Sequence, residues 1–165
     1  MNKTGFTLME VLAVVIIVGV LVSVSMPMYT RAIERSRATE AMNNIKAAND
    51  AIYVYFSDKE QCPDKFSQLI VTLPPASGSL ASDEIQTRYF TFKLKDENVA
   101  KVPGTQGKCP GVLATRSGPG SYSYKMYNPY ASSQGKALSL RCEAVTPGDS
   151  KSQAVCDSLG LSDSD

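Results

Sequence analysis

The sequence predicts an α+β fold in which one long N-terminal helix packs on a small antiparallel sheet of about four strands. Three features predict it: an uncharged apolar run over residues 11–30, a one-faced apolar helical pattern that continues to Phe56, and four later segments in which apolar and polar residues alternate. Four cysteines that follow the apolar run predict a C-terminal region closed by disulfides.

The first segment is long enough to cross a bilayer. Residues 6–30 would form a helix of roughly 37 Å, against a hydrocarbon core of about 30 Å. Glu10 lies near its start, where a charge is costly and is kept only with a partner. Gly19 and Pro27 are poor helix formers, so we expect either a kink or a locally melted stretch between them.

The helix is expected to continue with one apolar face as far as Phe56. Apolar residues recur there at steps of three and four, as in an amphipathic helix. They are Ala38, Ala41, Ile45, Ala48, Ile52 and Tyr55, flanked by Met42 and Phe56. This face needs a globular domain to cover it. A mixed-charge collar precedes it and is expected to be solvated, or else to pair between subunits: Arg31, Glu34, Arg35, Arg37 and Glu40.

Four segments alternate with the period of two that is typical of half-buried strands. They are residues 88–95, 112–116, 122–127 and 138–143. In the first, Phe90, Phe92 and Leu94 should face the helix. Because the segments follow one another closely, we expect antiparallel neighbours with one face on the helix.

The cysteines predict two disulfides and argue against a metal site, because none forms a C-x-x-C pair and their spacing is irregular. They are Cys62, Cys109, Cys142 and Cys156. Of three possible pairings we favour Cys62–Cys109 with Cys142–Cys156, since the latter closes a short loop and would add about 3 kcal/mol. Four free thiols in a cytosolic protein are the alternative. Residues 152–159 could form a last helical turn or two.

Composition makes an enzyme or a nucleic-acid binder improbable on chemical grounds. The chain has 17 basic and 16 acidic residues and no histidine, so it offers no basic excess, no imidazole ligand and no Ser-His or Cys-His pair. Acidic residues near Cys62 suit a solvated loop better than a calcium site: Asp58, Glu60 and Asp64. We expect no metal and no cofactor.

Three explanations of the N-terminal segment compete. A secretory signal peptide would be cleaved after Ser25, but Glu10 falls where its apolar core should begin. A plain signal anchor leaves Glu10 unexplained. Three arginines follow the segment and only Lys3 precedes it, which by the positive-inside rule would put the C-terminal part in the cytoplasm. Paired cysteines require the opposite side, and we give them more weight.

The third explanation rests on a resemblance. The stretch Gly5-Phe6-Thr7-Leu8-Met9-Glu10 resembles the processing site of type IV prepilins. The resemblance covers about 30 residues, since Gly19 and Pro27-x-Tyr29 also fall where many pilins have Gly, Pro and Tyr. It implies a leader over residues 1–5, cleavage between Gly5 and Phe6 by the prepilin peptidase, and N-methylation of Phe6 by the same enzyme.

The resemblance also implies what Glu10 does and where the protein works. Glu10 would neutralise the Phe6 amine, either its own or that of a neighbouring subunit in a filament. Residues 6–30 would span the inner membrane before assembly and form the filament core afterwards, and residues 31–165 would form a globular domain outside the cytoplasm.

The implied partners are copies of the chain and the pilus assembly machinery. The resulting extracellular pilus would serve adhesion, twitching motility or DNA uptake. A pseudopilin of a type II secretion system, in a periplasmic pseudopilus, or a minor pilin is the alternative. Four cysteines and a long C-terminal loop favour a pilus subunit.

Overall fold

The computed structural model describes residues 7–71, 83–94, 102, 104–106, 108–109, 111–128 and 140–161. Within these residues the chain has two α-helices, one short 3-10 turn at Phe66–Gln68 and five strands. They are α1 (Leu8–Lys59), β1 (Glu84–Gln86), β2 (Phe90–Leu94), β3 (Val112–Arg116), β4 (Tyr124–Tyr127), β5 (Arg141–Ala144) and α2 (Ser150–Ser158). The predicted α+β fold is therefore confirmed, with five strands where about four were expected.

Helix α1 has 52 residues and is roughly 78 Å long. It begins after Thr7 and ends at Glu60, whose backbone is left-handed (φ 54°). Its buried residues all belong to its second half: Glu34, Ala38, Ala41, Ile45, Ala48, Ala51, Ile52 and Phe56. The predicted apolar face is thus the buried one, although Tyr55 and Met42 are only partly buried. The alanines on this face let the sheet approach closely.

The sheet is an antiparallel meander in which each strand pairs with the next along the chain. One inward row runs across it: Phe92 lies opposite Ala114, Ala114 opposite Met126, and Met126 opposite Cys142. The predicted inward residues of β2 are buried, and those between them are partly exposed. One face of the sheet thus forms the core together with the second half of α1.

Strand β1 was not predicted, because its sequence Glu-Ile-Gln has little β propensity. Pairing with β2 stabilises it instead, with Ile85 opposite Phe92. Strand β5 begins at Arg141 and ends at Ala144, whereas the alternation predicted residues 138–143. Positions 138 and 139 of that prediction lie outside the described residues.

Both favoured disulfides are present. Cys62–Cys109 joins the segment after α1 to the segment before β3, with Cα atoms 5.3 Å apart. Cys142–Cys156 joins β5 to α2, with Cα atoms 5.2 Å apart. Asp149 caps the N-terminus of α2, and its carboxylate accepts hydrogen bonds from the Ser152 hydroxyl (2.6 Å) and from backbone N–H groups of the first turn. The C-terminal region is therefore closed by a disulfide, as expected.

A buried ion pair also fastens α1 to the sheet. Glu34 is fully buried on α1, and its Oε1 accepts a hydrogen bond of 2.6 Å from Arg116 Nε at the end of β3. The same carboxylate accepts hydrogen bonds from the Tyr124 hydroxyl (3.0 Å) and from Arg37 Nη1 (3.0 Å). The expectation that the collar is a solvated face is therefore wrong for Glu34, because a partner distant in sequence neutralises its charge inside the protein.

The Arg116 guanidinium is satisfied on its other sides as well. Its Nη1 donates to the Tyr89 carbonyl (3.1 Å) and its Nη2 to the Pro119 carbonyl (3.0 Å). Its carbon also lies 5.8 Å from the centre of the Phe90 ring, within cation–π range. A side-chain carbon at Gly118 would come within 2.7 Å of Arg116 Nη1, so the tight turn after β3 leaves room for the guanidinium.

The surroundings of this pair fix its protonation. Burial by itself raises the pKa of Glu34, but the hydrogen bonds and positive charge of Arg116, assisted by Tyr124 and Arg37, outweigh it and hold that pKa below the ordinary value. Burial and the neighbouring Glu34 charge raise the pKa of the Tyr124 hydroxyl. At neutral pH Glu34 is therefore an anion and Tyr124 a neutral donor to it.

Replacing Glu34 by Gln should leave the Arg116 charge buried without a counter-charge. We expect the free energy of unfolding at neutral pH to fall by about 3–5 kcal/mol. In the parent, the stability from the lowered pKa is complete above 4.5 and is lost as the pH falls through the folded-state pKa. The difference between parent and variant should therefore shrink in acid, as measured by denaturant unfolding of the full chain in detergent.

Two controls separate the pair from a general charge effect. Glu40→Gln removes the same charge from the exposed face of α1 and should change stability by no more than about 0.5 kcal/mol. The double variant Glu34→Met/Arg116→Met removes both buried charges and should recover most of the loss. A Glu34→Gln chain as stable as the parent at neutral pH would contradict this role for the pair.

Candidate assembly surface

Among the described residues, the first half of α1 is exposed on every side. Every residue from Leu8 to Ala32 is exposed, including Leu8 at 82% and Ile16 at 59%. Helix α1 contains an 18-residue window of mean hydropathy 2.7, none of it buried in the chain. By length and composition it could cross a membrane. An apolar surface of this size requires lipid or another protein to cover it.

Glu10 closes the N-terminal end of this surface. Its carboxylate accepts hydrogen bonds from the Thr7 N–H (3.2 Å) and the Thr7 hydroxyl (3.0 Å), while its own N–H donates to that hydroxyl (3.3 Å). This is a capping box, which satisfies backbone donors at the start of α1. Sequence reasoning missed this arrangement, although the Thr-x-x-Glu spacing indicates it. Gly5 and Phe6 lie outside the described residues, so processing and the Phe6–Glu10 pairing stay predictions.

Helix α1 runs without interruption through Gly19 and Pro27. Pro27 has no N–H, so the carbonyl of Ser23 loses its helical partner there. The hydroxyls of this half bond to the helix itself: Ser23 to the Val20 carbonyl (2.7 Å), Ser25 to the Leu21 carbonyl (2.8 Å) and Thr30 to the Pro27 carbonyl (3.0 Å). These donors are therefore satisfied without water, as an apolar environment requires. A melted stretch in a filament stays a prediction.

The collar divides into a buried and an exposed part. Glu34 is buried in the ion pair, and Arg37 is partly buried with its guanidinium carbon 4.1 Å from the centre of the Tyr89 ring. Arg31, Arg35 and Glu40 are exposed. Continuing the steps of three and four backwards from Ala38 places Glu34 on the buried face. That period was the signal that could have placed Glu34 on the buried face, although it does not identify Arg116 as the partner.

Within the described residues no group of three or more metal-ligating side chains comes together. The three acids near Cys62 have other roles or positions: Asp58 pairs with Lys59 (2.9 Å), Glu60 ends α1, and the Asp64 N–H donates to the Gln68 side chain (2.6 Å). The features that the described residues do form are an exposed apolar helix, a capped N-terminus and a sheet fastened to α1 by an ion pair.

Comparison with known proteins identifies the relatives of this chain. Fimbrial protein EcpC from Eikenella corrodens is 28% identical over 151 residues, which is 88% of this chain and 94% of that protein. Type IV major pilin protein PilA from Myxococcus xanthus is 38% identical over 63 residues, 38% of this chain and 29% of that protein. Type IV major pilin protein PilE1 from Neisseria gonorrhoeae is 31% identical over 74 residues, 45% of each chain.

No family model matches the chain, and no solved structure matches it significantly. This chain is similar to a fimbrial protein over most of its length and to type IV major pilins over shorter stretches.

Proposed function

We propose that this chain is a structural subunit of a type IV pilus and polymerises through the first half of α1. The observation that carries the proposal is that one half of α1 is covered by the sheet, whereas the described part of the chain leaves the apolar half exposed. The uncovered half suits lipid before assembly and copies of itself afterwards, since both present apolar surroundings. Its similarity to proteins named type IV major pilins supports the role of a pilus subunit.

Maturation precedes assembly in this proposal. The precursor lies in the inner membrane with its disulfide-bonded domain outside the cytoplasm. The prepilin peptidase cuts between Gly5 and Phe6 and methylates the new Phe6 amine. The pilus assembly machinery then moves the subunit into a filament that serves adhesion, twitching motility or DNA uptake.

The intact mass and first residue of the protein isolated from its native host test this maturation. We expect a chain that begins at Phe6 and carries one added methyl group. A chain that begins at Met26 would indicate a secreted protein cut after Ser25. A chain that retains Met1 would indicate a plain membrane anchor, and either result would contradict the proposal.

Glu10 is proposed to recruit the Phe6 amine of a neighbouring subunit. A carboxylate in an apolar filament core is heavily penalised unless a cation neutralises it, so subunits should stack with the stagger that pairs the two groups. The capping box does not exclude this role, because a carboxylate can accept about four hydrogen bonds and Thr7 supplies two.

Replacement of Glu10 by Gln should abolish filaments while leaving membrane insertion intact. Gln keeps a carbonyl oxygen for the capping box but has no charge for the amine. Thr7→Ala is the matched control, because it removes the capping hydroxyl and keeps the charge, and it should still give filaments. Counting filaments by electron microscopy, alongside membrane fractionation, measures both effects. Equal numbers from Glu10→Gln and parent cells would reject the pairing.

A pseudopilin of a type II secretion system, or a minor pilin, is the alternative, since the same uncovered apolar half suits those proteins too. Deleting the gene distinguishes them. We expect loss of surface filaments with an unchanged set of secreted proteins. Retained filaments with a depleted set of secreted proteins would indicate a pseudopilin, and sparse filaments of normal composition would indicate a minor pilin.

A further inference from the structure

A cleft of about 510 Å³ opens where the apolar half of α1 meets the globular part. One wall is the last turn of the apolar half and the start of the collar, and the other is the loop before β4 together with the first turn of α2. The lining includes Pro27, Tyr29, Arg31, Gly120, Tyr122 and Lys151. The cleft therefore lies between the exposed apolar half of α1 and the globular part of the chain.

The cleft carries a surplus of positive charge. Arg31, Arg37 and Lys151 line it, and Glu34 is the acid among its lining residues. Glu34 is already neutralised by Arg116, and Arg37 is held between Glu34 and the Tyr89 ring. Arg31 and Lys151 are both exposed.

Arg31 and Lys151 remain available to an anion. Neither forms an ion pair within the described part of the chain. The acid nearest to Lys151 in sequence is Asp149, which feels the Lys151 charge but is not within ion-pair distance of it, and whose carboxylate already accepts the Ser152 hydroxyl and two backbone N–H groups. An anion that enters the cleft would thus meet two cations from different elements, one on α1 and one on α2.

The depth of the cleft indicates which anion it meets. From Leu8 to Tyr29 the helix has 22 residues and a length of about 33 Å, close to the thickness of a hydrocarbon core. Tyr29 and Arg31 then lie at the level of the lipid headgroups, where tyrosine is enriched. The anion present at that depth is the lipid phosphate.

We propose that this cleft binds the headgroup of an anionic phospholipid, with Arg31 and Lys151 contacting its phosphate. The proposal rests on the membrane stage of the proposed function. The bound lipid links α1 to the C-terminal region and holds the globular part against the membrane surface. It also gives the basic residues after the apolar segment a partner, although they lie on the side that the positive-inside rule disfavours.

Native mass spectrometry of the full chain in non-ionic detergent tests the proposal, by titration with phosphatidylglycerol and with phosphatidylcholine. We expect one phosphatidylglycerol to bind more tightly than phosphatidylcholine. Arg31→Gln/Lys151→Gln should weaken that binding about 30-fold. Arg31→Lys keeps the charge and should retain the binding. Unfolding temperatures of all variants show that each is folded.

The matched control is Arg35→Gln/Lys46→Gln, which removes the same charge from α1 outside the cleft and should change binding less than about threefold. Equal weakening by both double variants would overturn the proposal in favour of diffuse surface attraction. Glycerol 3-phosphate bound as tightly as the lipid would show a site for a soluble anion. If Arg31→Gln/Lys151→Gln reduced self-association of the chain but left lipid binding unchanged, the cleft would be an interface between copies of the chain, and the proposal would be overturned.

Extraction of vesicles with alkaline carbonate distinguishes failure of the lipid site from failure of the proposed function. If the chain in vesicles is extracted by alkaline carbonate, it does not span the membrane, and the proposed function itself fails. If it resists extraction but binds both lipids equally, only the lipid site is overturned.

Discussion

The pairing of Glu34 with Arg116 is the constraint on which the arrangement of helix and sheet depends. Each charge alone would be prohibitively costly at this depth, so the two residues, 82 positions apart in sequence, must meet. Glu34 opens the buried face of α1, and Arg116 ends the inward row of β3. Turning the helix by one residue, about 100°, would separate them. The Glu34–Arg116 ion pair therefore fixes the rotation of α1 about its own axis and the end of β3 against which α1 packs.

The position of this pair also divides α1 into two halves with different surroundings. Because the buried face begins at Glu34, the described part of the chain leaves residues 8–32 of α1 exposed. Hydroxyls in that half bond to their own helix, so its surface suits lipid and the apolar flank of another helix equally well. A protein that moves from a membrane to a filament core needs such a surface.

The C-terminal region adds a second contact between α1 and the globular part of the chain. The Cys142–Cys156 disulfide ties α2 to the last strand, and the Ser152 hydroxyl accepts the Ser123 N–H (2.8 Å). These contacts bring Lys151 to the cleft that Arg31 lines on α1. The cationic cleft is thus a product of how α2 folds back beside α1.

Local patterns by themselves determined most of the fold. The spacing of apolar residues along the chain predicts the fully apolar and the one-faced half of α1, and it predicts β2 and β3. The short separation of Cys142 and Cys156 in sequence predicts the loop that their disulfide closes. Tertiary structure decided the rest. Strand β1 exists because β2 offers it a pairing register, and Glu34 and Arg116 are buried although their residue types indicate exposure. A charge becomes acceptable inside a protein only when a distant partner arrives, and no local pattern contains that partner.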